Sequence, residues 1–204
     1  MTDMEPKPVR IGVLALQGGI EEHLAALAAL PGVTAERFVD ASRLDASRPD
    51  AFDGVILPGG ESTTMGKLLV DFGLLEPLRA RIAAGMPVWG TCAGAILLAK
   101  GIDNDGRRHL QAMDITVSRN AYGRQVASFV ATGEVAGIPD FPMVFVRAPV
   151  IISKGPDVAT LAVHRGSIVA ARERNMVVTT FHPELTDDRR FHAWFVDAVV
   201  RAEH

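Results

Sequence analysis

The chain has a single cysteine, Cys92, in the run Gly90-Thr91-Cys92-Ala93-Gly94. A lone cysteine is most often a small buried hydrophobe, and it can form neither an intramolecular disulfide nor a multi-cysteine metal site. The neighbours here point elsewhere. An apolar run, Pro87-Val88-Trp89, leads into Cys92 and an apolar stretch with helical character leads away from it. This is the G-x-nucleophile-x-G pattern of a strand-to-helix elbow. Small residues are needed two positions to either side, because the nucleophile is held in a strained turn where larger side chains would clash. In such a turn the sulfur faces unpaired amides at a helix N-terminus, where the dipole favours thiolate over thiol.

A thiolate that attacks an amide needs a proton donor for the leaving amine. Among six histidines, His182 is the best placed, at the end of the last apolar strand in Phe181-His182-Pro183-Glu184. Strand ends on one edge of a parallel sheet converge on the same crevice. Glu184, two residues on, can turn its carboxylate back to the far ring nitrogen and fix tautomer and orientation, as the third member of a triad does. Taken alone, His-Pro-Glu reads equally as a strand-ending turn with a solvated carboxylate. His23, His109, His164, His192 and His204 have no comparable partners in sequence and read as surface or structural residues.

Acyl chemistry also needs an oxyanion hole. Pro58-Gly59-Gly60-Glu61-Ser62 follows another apolar strand, and paired glycines let backbone amides point at a developing negative charge. The expected donors are the amides of Gly60 and Ala93. A nucleotide cradle is the weaker reading, since neither G-x-G-x-x-G nor G-x-x-x-x-G-K-[ST] occurs.

Positioning these groups requires a sheet. Val9 to Leu16 is a continuous apolar run, as expected of a strand covered on both faces. Ile20 to Leu30 has helical periodicity, with Glu21 and Glu22 at its start and Pro31-Gly32 at its stop. Val55-Ile56-Leu57 leads into a helix near Thr63 to Val70, and Pro87-Val88-Trp89 into one from Ala93 to Lys100. This alternation predicts an α/β fold with a doubly wound, mainly parallel, flavodoxin-like sheet. After Gly101 the texture changes. The turn signal Asn104-Asp105-Gly106 and runs at Leu110 to Ser118, Val126 to Val135, Met143 to Val146 and Ser167 to Ala171 predict an antiparallel elaboration on the same domain. The chain returns with the strand Met176 to Phe181 and a last helix from Arg189 to Arg201, whose Phe191, Trp194, Phe195 and Val199 are spaced as core positions.

Length and charge set the bounds. At 204 residues the chain fits one α/β domain, residues 1–204, with a core large enough to need no disulfide or structural metal. Apolar residues make up 48%, charged residues 22%, and the net charge of −3 has no long runs of one sign, which argues against a nucleic-acid footprint. The first ten residues place Asp3, Glu5 and two prolines before the first apolar run, the wrong order for a signal peptide, and no stretch approaches a membrane span. A cytoplasmic protein is expected.

Cys92 in its elbow, His182-x-Glu184 and the Pro-Gly-Gly loop together resemble the class I (triad) glutamine amidotransferase family. Within it, the chain resembles the glutaminase subunits of pyridoxal phosphate synthase. The residues that carry this are Gly12-Val13-Leu14-Ala15-Leu16-Gln17-Gly18, Pro58-Gly59-Gly60-Glu61-Ser62-Thr63, Gly90 to Gly94, Arg119-Asn120-Ala121-Tyr122-Gly123-Arg124-Gln125, Arg147-Ala148-Pro149 and His182-Pro183-Glu184-Leu185-Thr186. The resemblance implies that glutamine is held by Gly60, Glu61, Ser62, Arg119, Val146 and Arg147. It also implies a barrel-shaped synthase partner that receives the ammonia. An arginine pairing with a free amino acid's carboxylate agrees with that reading. Two departures, Ala95 in place of a larger aliphatic residue and Gly19 in place of alanine, are expected to lie away from the chemistry.

The expected reaction is attack of Cys92 on the side-chain amide of glutamine, with no metal or cofactor required. The alternatives are the glutaminase subunit of another amidotransferase, a protease- or chaperone-like relative of the same fold, and a partner-binding subunit without catalysis. The protease and chaperone relatives often place histidine directly after the nucleophile, where this chain has Ala93.

Overall fold

The computed structural model describes residues 8–119 and 128–203. The chain opens with β1 (Val9–Leu14), α1 (Ile20–Ala28) and β2 (Val33–Phe38), followed by β3 (Gly54–Leu57), α2 (Ser62–Asp71), α3 (Leu75–Ala83), β4 (Val88–Thr91) and α4 (Ala93–Leu98). The strands β5 (Ala99–Ile102), β6 (Met113–Ser118), β7 (Ser128–Val135), β8 (Ile138–Val146), β9 (Val150–Lys154), β10 (Ala159–His164), β11 (Ser167–Glu173) and β12 (Met176–Thr179) come next. The last helix, α5 (Arg190–Phe195), runs on through a π turn at Val196–Val200 and a short 3-10 turn.

One sheet carries the order β2-β1-β3-β4-β12-β11-β9-β6-β5, with β10 added beside β11. From β2 to β12 every neighbouring pair is parallel; beyond β12 the pairing is antiparallel until β5 lies parallel to β6. β7 and β8 form a separate antiparallel pair.

The strand period of two sorts side chains into two cores. Val55, Leu57, Val88 and Val178 face one side with Met65, Leu69 and Leu78 of α2 and α3. Ile11, Val13, Ile56, Trp89 and Val177 face the other with Leu27 of α1 and Phe191, Phe195 and Val199 of the C-terminal helix. Helices thus cover both faces of the parallel half, as expected for a doubly wound sheet. Trp89 is central to the second core, with ring centroids 5.0 Å from Phe191 and 5.5 Å from Phe195. Full burial of each such side chain stabilises the fold by about 1.5–3 kcal/mol.

Several boundaries differ from the sequence expectation. The helix after Cys92 stops at Leu98, because Ala99 and Lys100 pass into β5, which pairs with β6. α3, β2, β9 and β10 have no counterpart in the sequence reading, and β8 begins at Ile138, earlier than the expected Met143. Of the Arg119 to Gln125 stretch only Arg119 is among the described residues; Asn120 to Gln125, the start of the expected strand at Val126, and His204 lie outside them. Among the described residues no helix is long and apolar enough to cross a membrane.

Candidate active site

β3, β4 and β12 are adjacent and parallel, so their C-terminal ends open on one edge. The loop after β3 carries Gly59 and Gly60, the turn after β4 carries Cys92, and the turn after β12 carries His182. Cys92 is pinned by its amide, which donates to the Thr179 carbonyl at 2.8 Å. His182 is pinned in the same way, donating to Val144 of β8 at 2.8 Å. The β7–β8 pair therefore does more than elaborate the sheet: it anchors the histidine and forms a wall of the site.

At Cys92 the backbone has φ 46° and ψ −99°, a strained conformation for a residue with a side chain. Strain of this kind costs on the order of 1–3 kcal/mol and is characteristic of functional sites. The flanking glycines are required by close approach. A Cβ on Gly94 would stand 2.0 Å from the Leu57 carbonyl oxygen, and one on Gly90 would stand 2.5 Å from the Gly94 carbonyl carbon.

His182 Nδ1 lies 2.7 Å from Glu184 Oε1. Cys92 and the His182 ring line the same cavity, and the Cys92 thiol lies 3.9 Å from the Val146 carbonyl oxygen. Burial works against a charged ring, but the neighbouring Cys92 and the hydrogen-bonded Glu184 carboxylate outweigh it, so His182 is pushed up to about 10. Glu184 is held below the usual carboxylate range: its burial favours the neutral form, and the opposing effects of His23 and His182 prevail.

A cavity of about 240 Å³ opens above the sulfur, lined by Gly60, Glu61, Ser62, Cys92, Ala93, Ile96, Arg119, Val146, Arg147, Pro149 and His182. Every residue expected to bind substrate lines it, as do both expected oxyanion donors. Glu184 stands behind His182, bordering a neighbouring cleft. Glu61 caps α2, accepting from the Thr63 and Thr64 amides at 3.1 and 2.7 Å. Although burial opposes it, those bonds hold its pKa at about 2. Arg119 is suspended between Glu61 and Asp105, 3.4 Å from each. Such long contacts are weak and leave the guanidinium able to take another carboxylate.

Two expectations are corrected here. His23 and His192 are fully buried, and His23 Nε2 lies 3.5 Å from Glu184 Oε2, so His23 does have a partner in the site. Gly19 does not lie away from the chemistry: a Cβ there would stand 3.0 Å from Glu184 Oε1. Sequence reasoning also passed over Gln17, whose side-chain oxygen accepts from the Glu61 amide at 2.7 Å and ties the Gly59-Gly60 loop to the β1–α1 turn. A signal for His23 exists, because it falls with Ile20, Leu24 and Leu27 on the apolar face of α1.

Fold and site together define a doubly wound α/β protein with a lone cysteine in a strand-to-helix elbow, beside a histidine–glutamate pair on one cavity. The profile of the SNO glutamine amidotransferase family matches residues 13–201, and the chain belongs to that family. It is 51% identical over 192 residues to pyridoxal 5'-phosphate synthase subunit PdxT of Ruminiclostridium cellulolyticum, covering 93% of this chain and 99% of that one. The subunit of the same name from Streptococcus pneumoniae is 52% identical over 191 residues, covering 93% of this chain and 96% of that one. A crystal structure of a glutamine amidotransferase superposes with TM-score 0.86 at 41% identity, covering 93% of this chain and 98% of the other. A glutamine amidotransferase from Thermotoga maritima shares the fold at TM-score 0.58 and 16% identity, covering 96% and 86%.

Proposed function

We propose that the chain hydrolyses L-glutamine to L-glutamate and ammonia through Cys92, His182 and Glu184, and delivers the ammonia to a synthase that makes pyridoxal 5'-phosphate. The observation that carries this is the placement of Cys92 and His182 on the wall of one cavity lined for a small zwitterion, with the Glu184 carboxylate 2.7 Å behind the ring. In the reaction the thiolate attacks the side-chain amide carbon, and the amides of Gly60 and Ala93 receive the oxyanion. The C–N bond breaks as His182 gives its Nε2 proton to the leaving nitrogen, and ammonia departs. Neutral His182 then takes a proton from water, whose oxygen attacks the thioester. The C–S bond breaks, glutamate leaves, and the thiolate–imidazolium pair is restored.

Arg119 supplies the charge for the substrate carboxylate and Glu61 a partner for its ammonium, with Ser62, Val146 and Arg147 completing the wall. Arg119→Met is expected to raise KM for glutamine by about tenfold to a hundredfold with kcat little changed, since a charge-assisted hydrogen bond is worth about 1.5–3 kcal/mol. Steady-state glutamate release reads this out directly. An unchanged KM would remove Arg119 from the substrate site.

Uncoupled hydrolysis would waste glutamine, so docking of the synthase is expected to activate the glutaminase by reorganising the Gly59-Gly60 loop. A loop at φ 152° at Gly60, tied to the β1–α1 turn where the Glu61 amide donates to the Gln17 side-chain oxygen, is suited to such a change. The chain, as a single domain in the cytoplasm, then acts as one component of a hetero-oligomer. The test has three arms: low glutaminase activity alone, a marked rise on adding the barrel-shaped synthase, and synthase activity that survives Cys92→Ala when ammonium salt is supplied. Full activity without any response to the synthase would indicate a stand-alone hydrolase. Activation by a different synthase alone would indicate another amidotransferase.

A further inference from the structure

Glu184 presents one oxygen, Oε1, to His182, and its other oxygen, Oε2, is buried with no hydrogen bond from any described residue. A buried carboxylate oxygen without a donor is costly, so the group facing it matters. That group is His23 Nε2 of α1, 3.5 Å away, with Thr91 Oγ1 3.4 Å from the same nitrogen. On the other side of the ring, His23 Nδ1 lies 3.0 Å from His192 Nε2 of the C-terminal helix. Both rings pack edge-on to Trp89, with centroids 5.3 and 4.9 Å from its ring.

The proton positions follow from satisfaction. Burial lowers the pKa of both histidines, with the charge of Glu184 only partly offsetting it at His23, so both rings are neutral. One proton lies between His23 Nδ1 and His192 Nε2, and it can come from either ring. If His23 gave it, the lone pair of His23 Nε2 would face a carboxylate, and His192 would carry a proton on Nδ1, a buried atom with no partner among the described residues. If His192 gives it, His23 Nε2 bears its proton toward Glu184 and Thr91, and only a lone pair is left unpartnered at His192 Nδ1. The second arrangement removes both penalties.

We propose that His23, oriented by His192, is a positioning residue for the triad: its Nε2 proton faces Glu184 Oε2 and fixes the carboxylate so that Oε1 meets His182. This rests on the triad reading above. It extends the chain of contacts to Cys92, His182, Glu184, His23 and His192, drawn from the turns after β4 and β12 and from both helices of one face. The titratable groups that reach His23 are Glu184 and His182, His192 from α5 and Glu22 from its own helix, with Arg189 acting on His192.

The test measures kcat, KM and the pH profile of kcat for the full chain with the synthase present. His23→Leu is expected to lower kcat by about tenfold to a hundredfold, the range seen when a group that orients a functional ligand is removed, with KM within about twofold. Without the donor, protonation of Glu184 becomes easier, so the acid-side loss of kcat moves to higher pH. His23→Gln, whose amide can donate to Oε2, recovers part of both effects. Combined with Glu184→Gln, His23→Leu adds little, because the two act through one carboxylate. If the Leu variant does not fold, His192→Leu, which touches neither Glu184 nor the cavity, is expected to give the same pH shift in smaller measure. An unchanged kcat and pH profile in His23→Leu, or effects that multiply with Glu184→Gln, overturn the proposal. A silent Glu184→Gln, by contrast, overturns the triad itself.

Discussion

Cys92→Ala is expected to lower glutamine turnover by at least about 10³-fold, the scale on which loss of a nucleophile is felt when its partners cannot replace it. The side chain is small and the strain at φ 46° falls on the backbone whichever residue is present, so thermal unfolding is expected to change little. Turnover measured as glutamate released, with the synthase present, checks the first part; turnover within tenfold of the unaltered chain would remove Cys92 from the mechanism. Ammonia-dependent synthesis by the complex separates a lost nucleophile from a lost assembly, because it needs the docked chain but not its sulfur.

His182→Ala is expected to be nearly as severe, since in the proposed reaction the ring both donates the proton to ammonia and takes one from water. Glu184→Gln is expected to cost less, because the ring remains in place without its orienter. The histidine also leaves a signature in stability. Its folded pKa of about 10 lies above the value near 6.5 of an unfolded histidine. The folded chain therefore holds the extra proton between those values. The resulting stabilisation is complete below about pH 6.5 and is lost as pH rises through about 10. Denaturant unfolding between pH 7 and 10 is expected to show a steeper decline for the unaltered chain than for His182→Ala. Parallel declines would mean that the ring is neutral in the folded state.

The parts of this site that could be read from sequence are those whose local chemistry is self-contained. Gly90 and Gly94 announce an elbow because their missing side chains are excluded by neighbouring backbone, and Phe181-His182-Pro183-Glu184 places the proposed base and orienter two residues apart. The apolar runs at β1, β3, β4 and β12 were legible because strands covered on both faces need no polar alternation. The strands β2, β9 and β10 were not. Their burial is partial and mixed with polar residues, as in Val33–Phe38 and Ala159–His164, so no clear period marks them. α3 was lost because Pro77 and its charged neighbours dilute the apolar stripe of Leu78 and Ile82. The end of the helix after Cys92 was misplaced because Ala99 and Lys100 suit a helix locally, and only pairing with β6 makes them a strand. His23 and Gln17 were missed for a different reason: their partners are 161 and 44 positions away, and sequence spacing carries no trace of such contacts.

The most direct measurement is covalent labelling of the full chain, with the synthase present, by a diazoketone analogue of glutamine. Once the diazo carbon has taken a proton, the thiolate displaces dinitrogen from it, and this is fast only if the amino-acid portion is held in the cavity and the sulfur is charged. One adduct per chain is expected, on the peptide that contains Cys92, formed more slowly when glutamine competes and absent in Cys92→Ala. No adduct on that peptide, or an adduct whose rate is indifferent to glutamine, would contradict it.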